Sequence, residues 1–282
     1  MNETTAISQS FGILYWLVMG ATLIVIIKFG KGWWAAVLFA VALAVFSYLP
    51  VVGLIEQKKY DEYRAEGFER FNRYCKEKVG EKVYRRITNV ESILMIRPRS
   101  SATDTQFTDQ QWRGDPYGFA LSDLAEIGSL LRPDRISAND PLLMGYEFVE
   151  VLITDAAGSK RIKQYRVTKR DRNDAAYNNL QETEVNEQKS KFGFTWEDIS
   201  TSEDRRFWIA GGVLRVVDLT TNEIIAERVG YLIDPLFGNR SSGRIPWLSA
   251  VSNSCPVRVP GELRITRRFL TQVLQPITRT EN

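Results

Sequence analysis

Two uncharged apolar runs dominate the hydropathy pattern of this chain, Phe11–Ile27 and Gly32–Ile55, separated only by Lys28, Phe29, Gly30 and Lys31. Each reaches the roughly 17–25 residues that carry a helix across a bilayer's hydrocarbon core. The pattern predicts a transmembrane hairpin over residues 1–55, with helices at about 11–27 and 32–55. A hairpin places the N-terminal tail and everything after Ile55 on one side of the membrane. Tandem runs without an acid or an Arg argue against a buried core helix. Trp33 and Trp34 open the second run, where aromatic rings sit well at headgroup level. Ala36, Ala40 and Ala44 form a small-residue stripe that lets two helices approach closely. Pro50 is a candidate kink near the end of the run. A cleaved signal peptide is the competing reading, but the first ten residues hold no Lys or Arg, so its basic leader is missing. Lys28 and Lys31 would then have to serve as a late leader, with cleavage near Ala42 and Ala44.

The pattern changes at Glu56. Residues 56–80 are highly charged, and Tyr60, Tyr63, Phe71, Tyr74 and Cys75 return near helical spacing. This predicts an amphipathic connecting helix, weakened slightly at Gly67 and ended by Gly80. Residues 81–282 read as a soluble α+β domain. Val83–Arg99 predicts two short strands around Thr88–Asn89. Residues 100–145 look irregular, with one short helix at Leu121–Leu131, and so long a loop is uncommon inside a compact domain. Tyr146–Thr154 and Arg161–Thr168 then alternate as a hairpin. Lys169–Lys191 reads as a polar linker and Phe192–Ser200 as a strand. Gly212–Leu219 and Ile224–Asp234 form a second hairpin, with Leu214 and Val216 against Arg215 and Val217 marking one wetter face. Arg264–Leu274 predicts a final helix, with Thr266 as candidate N-cap and Pro276 beyond its end. The expected fold is an antiparallel β-sheet flanked by N- and C-terminal helices.

Composition removes most chemistries. There are 37 basic and 34 acidic residues, a net charge of +3, so no strong field points to nucleic acid. Zero histidines exclude Ser-His-Asp and Cys-His nucleophiles and any His-containing zinc site. Two cysteines cannot build a four-cysteine zinc or iron–sulfur site within one chain. Neither common glycine-rich phosphate loop is present. No catalytic, cofactor-binding or metal-ligating residue is assigned, and no cofactor is expected. Carboxylate chemistry stays open because Glu197, Asp198, Glu203 and Asp204 cluster in sequence, beside Arg205 and Arg206 that explain them as local ion pairs. The basic run Lys160, Arg161, Lys163, Arg166, Lys169, Arg170 and Arg172 suits either phosphate or the exposed face of a hairpin. Ser241, Ser242, Gly243 and Arg244 form a flexible-looking loop near Trp247, but the last lysine is Lys191, which leaves a Ser-Lys hydrolase without its base.

Cys75 and Cys255 lie on the connecting helix and in the loop before the last helix. A bond between them would tie the ends of the soluble domain together, by about 5 kcal/mol on the loop-entropy model, and would place it in an oxidising compartment. The alternative is two separate buried thiols.

At Tyr74–Arg85 (YCKEKVGEKVYR) and Asn89–Arg99 (NVESILMIRPR) the chain resembles bacterial membrane-anchored envelope proteins of no assigned activity. Glu203–Ala210, Val217–Arg228, Trp247 and Cys255 extend the likeness over most of the soluble domain. Export in such relatives would imply a closed disulfide and a periplasmic domain. The expected function is a non-enzymatic interaction or assembly role in the bacterial inner membrane, anchored in the lipid bilayer, with a protein partner in the envelope. Two alternatives stand beside it. One is a carboxylate-dependent hydrolase or lipid- or glycan-modifying enzyme. The other is a cytoplasmic-facing accessory subunit, since Lys58, Lys59, Arg64, Arg70 and Arg73 outnumber Lys28 and Lys31 in a positive-inside comparison.

Overall fold

A computed structural model describes residues 3–30, 32–99, 102–118, 123–132, 145–155, 157–168, 180–257 and 264–277. The chain divides into two compact units, Met1–Ala65 and Glu66–Asn282. The protein is a mixed α+β structure with a β-sheet and a long apolar N-terminal helix.

In the first unit, helix α1 covers Glu3–Phe29 and helix α2 begins at Trp33, running on to Glu77 in the second unit. Gly32 turns the chain between them with φ +70°, a conformation glycine reaches without a Cβ penalty. Tyr15 of α1 stacks edge-on against Phe46 of α2, ring centroids 5.8 Å apart, and its hydroxyl donates to the Phe46 carbonyl. Among the described residues α2 is the one helix long and apolar enough to cross a membrane, and none of its apolar stretch is buried in the protein. The described apolar part of α1, Tyr15–Phe29, is shorter. The predicted second span and the connecting helix are thus one continuous helix that passes through Pro50.

The second unit is organised on a nine-stranded sheet. Its strands are β1 (Gly80–Val83), β3 (Ser92–Met95), β4 (Phe148–Thr154), β5 (Lys160–Val167), β6 (Leu180–Val185), β7 (Phe192–Asp198), β8 (Ile209–Asp218), β9 (Glu223–Ile233) and β10 (Ser254–Cys255). The order is β1-β9-β8-β7-β3-β4-β5-β6, with β10 also on β9. A small parallel pair, β2 (Ile87–Val90) with β11 (Leu274–Pro276), stands apart.

Three features depart from expectation. The sheet is antiparallel along most of its width, but β3 runs parallel to both β4 and β7. The cause is the connection: β3 and β4 are joined not by a hairpin but by a long crossover, which is what a parallel pair requires. That crossover carries the short helices α3 (Asp104–Thr108) and α4 (Asp123–Leu131). Second, Thr88 and Asn89 lie inside β2, and the strand break comes at Glu91. Third, the polar stretch 169–191 holds strand β6, which needs no buried face because it sits at the sheet edge. After the single turns α5 (Ser202–Arg206) and α6 (Pro246–Ala250) comes helix α7 (Arg264–Val273), and because it already begins at Arg264 the N-cap expected at Thr266 is displaced.

The core lies on one face of the sheet. Ile93, Met95, Val149, Val151, Phe194, Leu214, Val216 and Ala226 meet Ile127 and Leu130 of α4 and Phe269, Leu270 and Val273 of α7. In α7, residues 265, 269, 270 and 273 recur at one-face helical spacing and are buried, while Arg268 is exposed. The alternation read in the second hairpin is present, with Leu214, Val216, Ala226 and Arg228 buried and Arg215 and Glu227 half-buried. Arg228 enters the core side as an ion, only 2% exposed, and its Nε donates to Glu81 at 2.9 Å.

Gly212 and Gly230 are directly opposed on β8 and β9. A Cβ on Gly230 would collide with the Tyr117 ring and hydroxyl, so the pair makes a floor that only glycine can provide for a fully buried tyrosine. Gly230→Val therefore lowers stability by about 1–3 kcal/mol through overpacking. The check is a urea midpoint on detergent-solubilised protein, with Gly20→Val, whose Cβ meets nothing within 4 Å, as the silent control.

Candidate functional site

The polar centre of the second unit is a single turn of helix, α5 (Ser202–Arg206). Its start is written locally: Thr201 and Asp204 form a capping box, Thr201 accepting from the Asp204 N–H at 3.1 Å while Asp204 accepts from the Thr201 N–H at 2.9 Å. Asp204 is 2% exposed, and its other oxygen accepts from Tyr74 Oη at 2.8 Å and Arg70 Nη1 at 3.1 Å, both on α2. Burial pushes the Asp204 carboxyl up, but these hydrogen bonds outweigh it and hold it below the ordinary carboxylate range.

Arg205, next along, points into the domain. Its Nη2 donates to Asp198 at 2.6 Å and to the Gly114 carbonyl at 3.0 Å, and its guanidinium lies 4.8 Å over the Trp247 ring. Trp247, fully buried, donates from Nε1 to the Asp109 carbonyl at 2.8 Å. Ser200 donates to Asp198 at 2.6 Å and accepts from the Gly211 N–H at 2.8 Å. Two buried donors here, Trp196 Nε1 and Arg205 Nη1, have no acceptor among the described residues and leave capacity for ordered water.

Tyr74, which Asp204 holds, immediately precedes the first cysteine of the pair. Cys75 and Cys255, 180 positions apart, lie at disulfide distance with Cα atoms 5.6 Å apart. Cys255 is in register with Tyr231 on β9, and the Tyr231 ring packs 4.8 Å from Tyr74, one residue before Cys75. Burial, together with the nearby Asp204 charge, pushes the Tyr231 hydroxyl up to about 12, so it stays neutral at physiological pH. Gly67 completes the contact. A Cβ there would lie 2.7 Å from Phe237 and 3.2 Å from Phe207. The glycine that weakens the helix in isolation is what allows it to approach Phe207 and Phe237.

The four clustered acids do not converge. Glu197 and Asp198 are neighbours on a strand and so point to opposite faces. Glu197 pairs with Arg215 and Arg97 on the half-buried face, while Asp198 pairs with Arg205. Glu203 points outward to Arg70 and Arg206. Each carboxylate has a cation, and among the described residues no three His, Cys, Asp or Glu side chains are close enough to hold a metal ion. Of the basic run, Lys163, Arg161 and Arg166 pair with Glu182, Glu184 and Glu147. Lys169, Arg170 and Arg172 lie outside the described residues. In the serine loop, Arg244 is paired with the fully buried Asp234.

What this arrangement does is tie α5, α2, β7 and the loops at Gly114 and Asp109 together through paired polar groups. The Ser200 hydroxyl is donated to the Asp198 carboxylate, which Arg205 also binds. Sequence reasoning saw the acids and Cys75 and Cys255. It missed Asp204 as a junction, although Thr201-x-x-Asp204 is a legible capping signal, and it missed Arg205 on Trp247, a contact that no local pattern encodes.

Asp204 makes a signed prediction. Its folded-state carboxyl is depressed, so its contribution is complete above the ordinary carboxylate range, near pH 4, and is lost as pH falls through the depressed value. Asp204→Asn should lower the urea midpoint at pH 7, and the gap to wild type should close as the pH falls below about 4.

Comparison with protein-family models, with curated proteins and with solved structures finds no match to this chain.

Proposed function

We propose that the chain is a non-enzymatic envelope protein: a transmembrane hairpin of α1 and α2 anchors it in a bacterial inner membrane and displays the α+β domain in the periplasm for interaction or assembly with another envelope component. The observation that carries this reading is the Cys75–Cys255 pair, because disulfides persist in oxidising compartments and are rare in the cytosol. The Tyr15–Phe46 contact supports the hairpin. Full neutralisation of Glu197, Asp198, Glu203 and Asp204 by basic partners supports a role other than catalysis.

A second reading, an accessory subunit facing the cytoplasm, draws on the positive charge that follows the apolar stretch at Lys58, Lys59, Arg64, Arg70 and Arg73. One measurement separates the two. Intact cells are treated with a large membrane-impermeant maleimide, then lysed and denatured with or without reductant before a second labelling. The periplasmic reading expects a gel shift only after reduction. Free labelling after lysis without reductant, with none in intact cells, would move the cytoplasmic reading to the front. Separately, Cys255→Ser should lower the stability of the domain by up to about 5 kcal/mol, the loop-closure value for so long a loop, read as a denaturant midpoint under oxidising conditions.

A further inference from the structure

The two long edges of the sheet are treated differently. On one side, the outer edge of β9 is covered by two fragments, β1 against Val229–Ala226 and β10 against Leu232 and Tyr231. The fragments are four and two residues long, β1 carries Lys82, and the disulfide pair includes Cys255 of β10. Very short strands and a lysine are what keep an edge from recruiting another chain. At the other side, β6 has none of these devices. Its six residues, Leu-Gln-Glu-Thr-Glu-Val, pair with β5 in unbroken register from Leu180↔Val167 to Val185↔Ile162, with no proline, lysine or bulge. Among the described residues the amides and carbonyls that β6 directs away from β5 make no hydrogen bond. Residues 181–184 are exposed.

We propose that β6 is a docking edge that takes an extended segment of a partner protein as a tenth strand, the main chain supplying affinity and alternate side chains supplying selectivity. The inference rests on the interaction role proposed above and names its surface. The chemistry of the partner follows from the side chains. Glu182 and Glu184 share one face of β6 with Arg161, Lys163 and Tyr165 of β5; they pair inward with Lys163 and Arg161 and remain about half exposed, at 45% and 55%, toward the open edge. Gln181 and Thr183 occupy the other face. A second copy of this chain is a poor occupant: two β6 strands joined antiparallel with their faces matched put Glu opposite Glu, which is destabilising. A strand with Lys or Arg at two alternate positions instead meets Glu182 and Glu184 as cross-strand pairs.

The test uses the full-length chain in its own membrane. A photoreactive phenylalanine is placed at Gln181, at Thr183, or at Lys82 on the opposite edge, and crosslinked peptides are read by mass spectrometry. The expected result is one extended, Lys- or Arg-bearing segment of another protein captured from positions 181 and 183 and not from 82. With Glu182→Lys and Glu184→Lys together, capture should fall about tenfold. Glu182→Gln with Glu184→Gln, which avoids repulsion with Lys163, should give an intermediate loss, and an unchanged disulfide gel mobility shows that either variant is folded. Capture of a second copy, of lipid only, of nothing, or of a segment insensitive to both charge changes would overturn the proposal. A partner captured only from Lys82 would sink the β6 edge while leaving the interaction role intact. The maleimide result decides the compartment independently of either.

Discussion

A buried carboxylate with its hydrogen bonds filled is the junction on which the second unit depends. Asp204 is nearly inaccessible to water, and an isolated ion in that position would cost several kcal/mol. It is tolerated because one oxygen is taken by the Thr201 cap and the other by Tyr74 and Arg70. Those partners belong to different parts of the chain: the cap starts α5, and Tyr74 and Arg70 lie on the helix that emerges from the apolar stretch. The same carboxylate therefore sets where α5 begins and where α2 docks. Removing any one partner leaves a buried charge short of its bonds, which is why the contact is worth more than its count of hydrogen bonds implies.

The docking of α2 is secured three times over in little more than two helical turns. Gly67 gives the close approach to Phe207 and Phe237, Arg70 and Tyr74 supply the charged and aromatic contact, and Cys75 faces Cys255. Apolar packing, buried electrostatics and a cysteine pair at disulfide distance act through different parts of the free energy. By contrast the ladder of Arg97, Glu197, Arg215 and Glu227 across the other face is partly exposed, and pairs of that kind contribute little each. Its effect is to keep that face polar.

The contrast between sheet edges follows from where the chain has covalent or helical neighbours. β9 receives β1 directly after α2 and β10 just ahead of α7, so both ends of the domain converge on it. β6 lies at the far end of the series β4-β5-β6, and among the described strands it pairs with β5 alone. Leu180 at its start packs against the core, while the exposed residues 181–184 need none and are polar.

The sequence alone determined the elements whose signal is local. The apolar helix, the hairpins β4–β5 and β8–β9, strand β7, helix α7 and the candidate pair Cys75–Cys255 were all legible, because a period of two or of 3.6, or a residue's own chemistry, is written within a few neighbours. Tertiary structure decided the rest. The parallel setting of β3 depends on a crossover whose path no short window contains. Strand β6 was read as linker because an edge strand with two solvated faces carries no apolar alternation. The acids at 197, 198, 203 and 204 looked like one cluster along the chain, yet strand alternation sends Glu197 and Asp198 to opposite faces and the cap turns Asp204 inward. Gly67 was read as a weak point of a helix, and only the arrival of Phe207 and Phe237 made it a requirement. In each case the deciding contact joins residues far apart in sequence, and the free energy of such a contact belongs to the pair, not to either residue's neighbourhood.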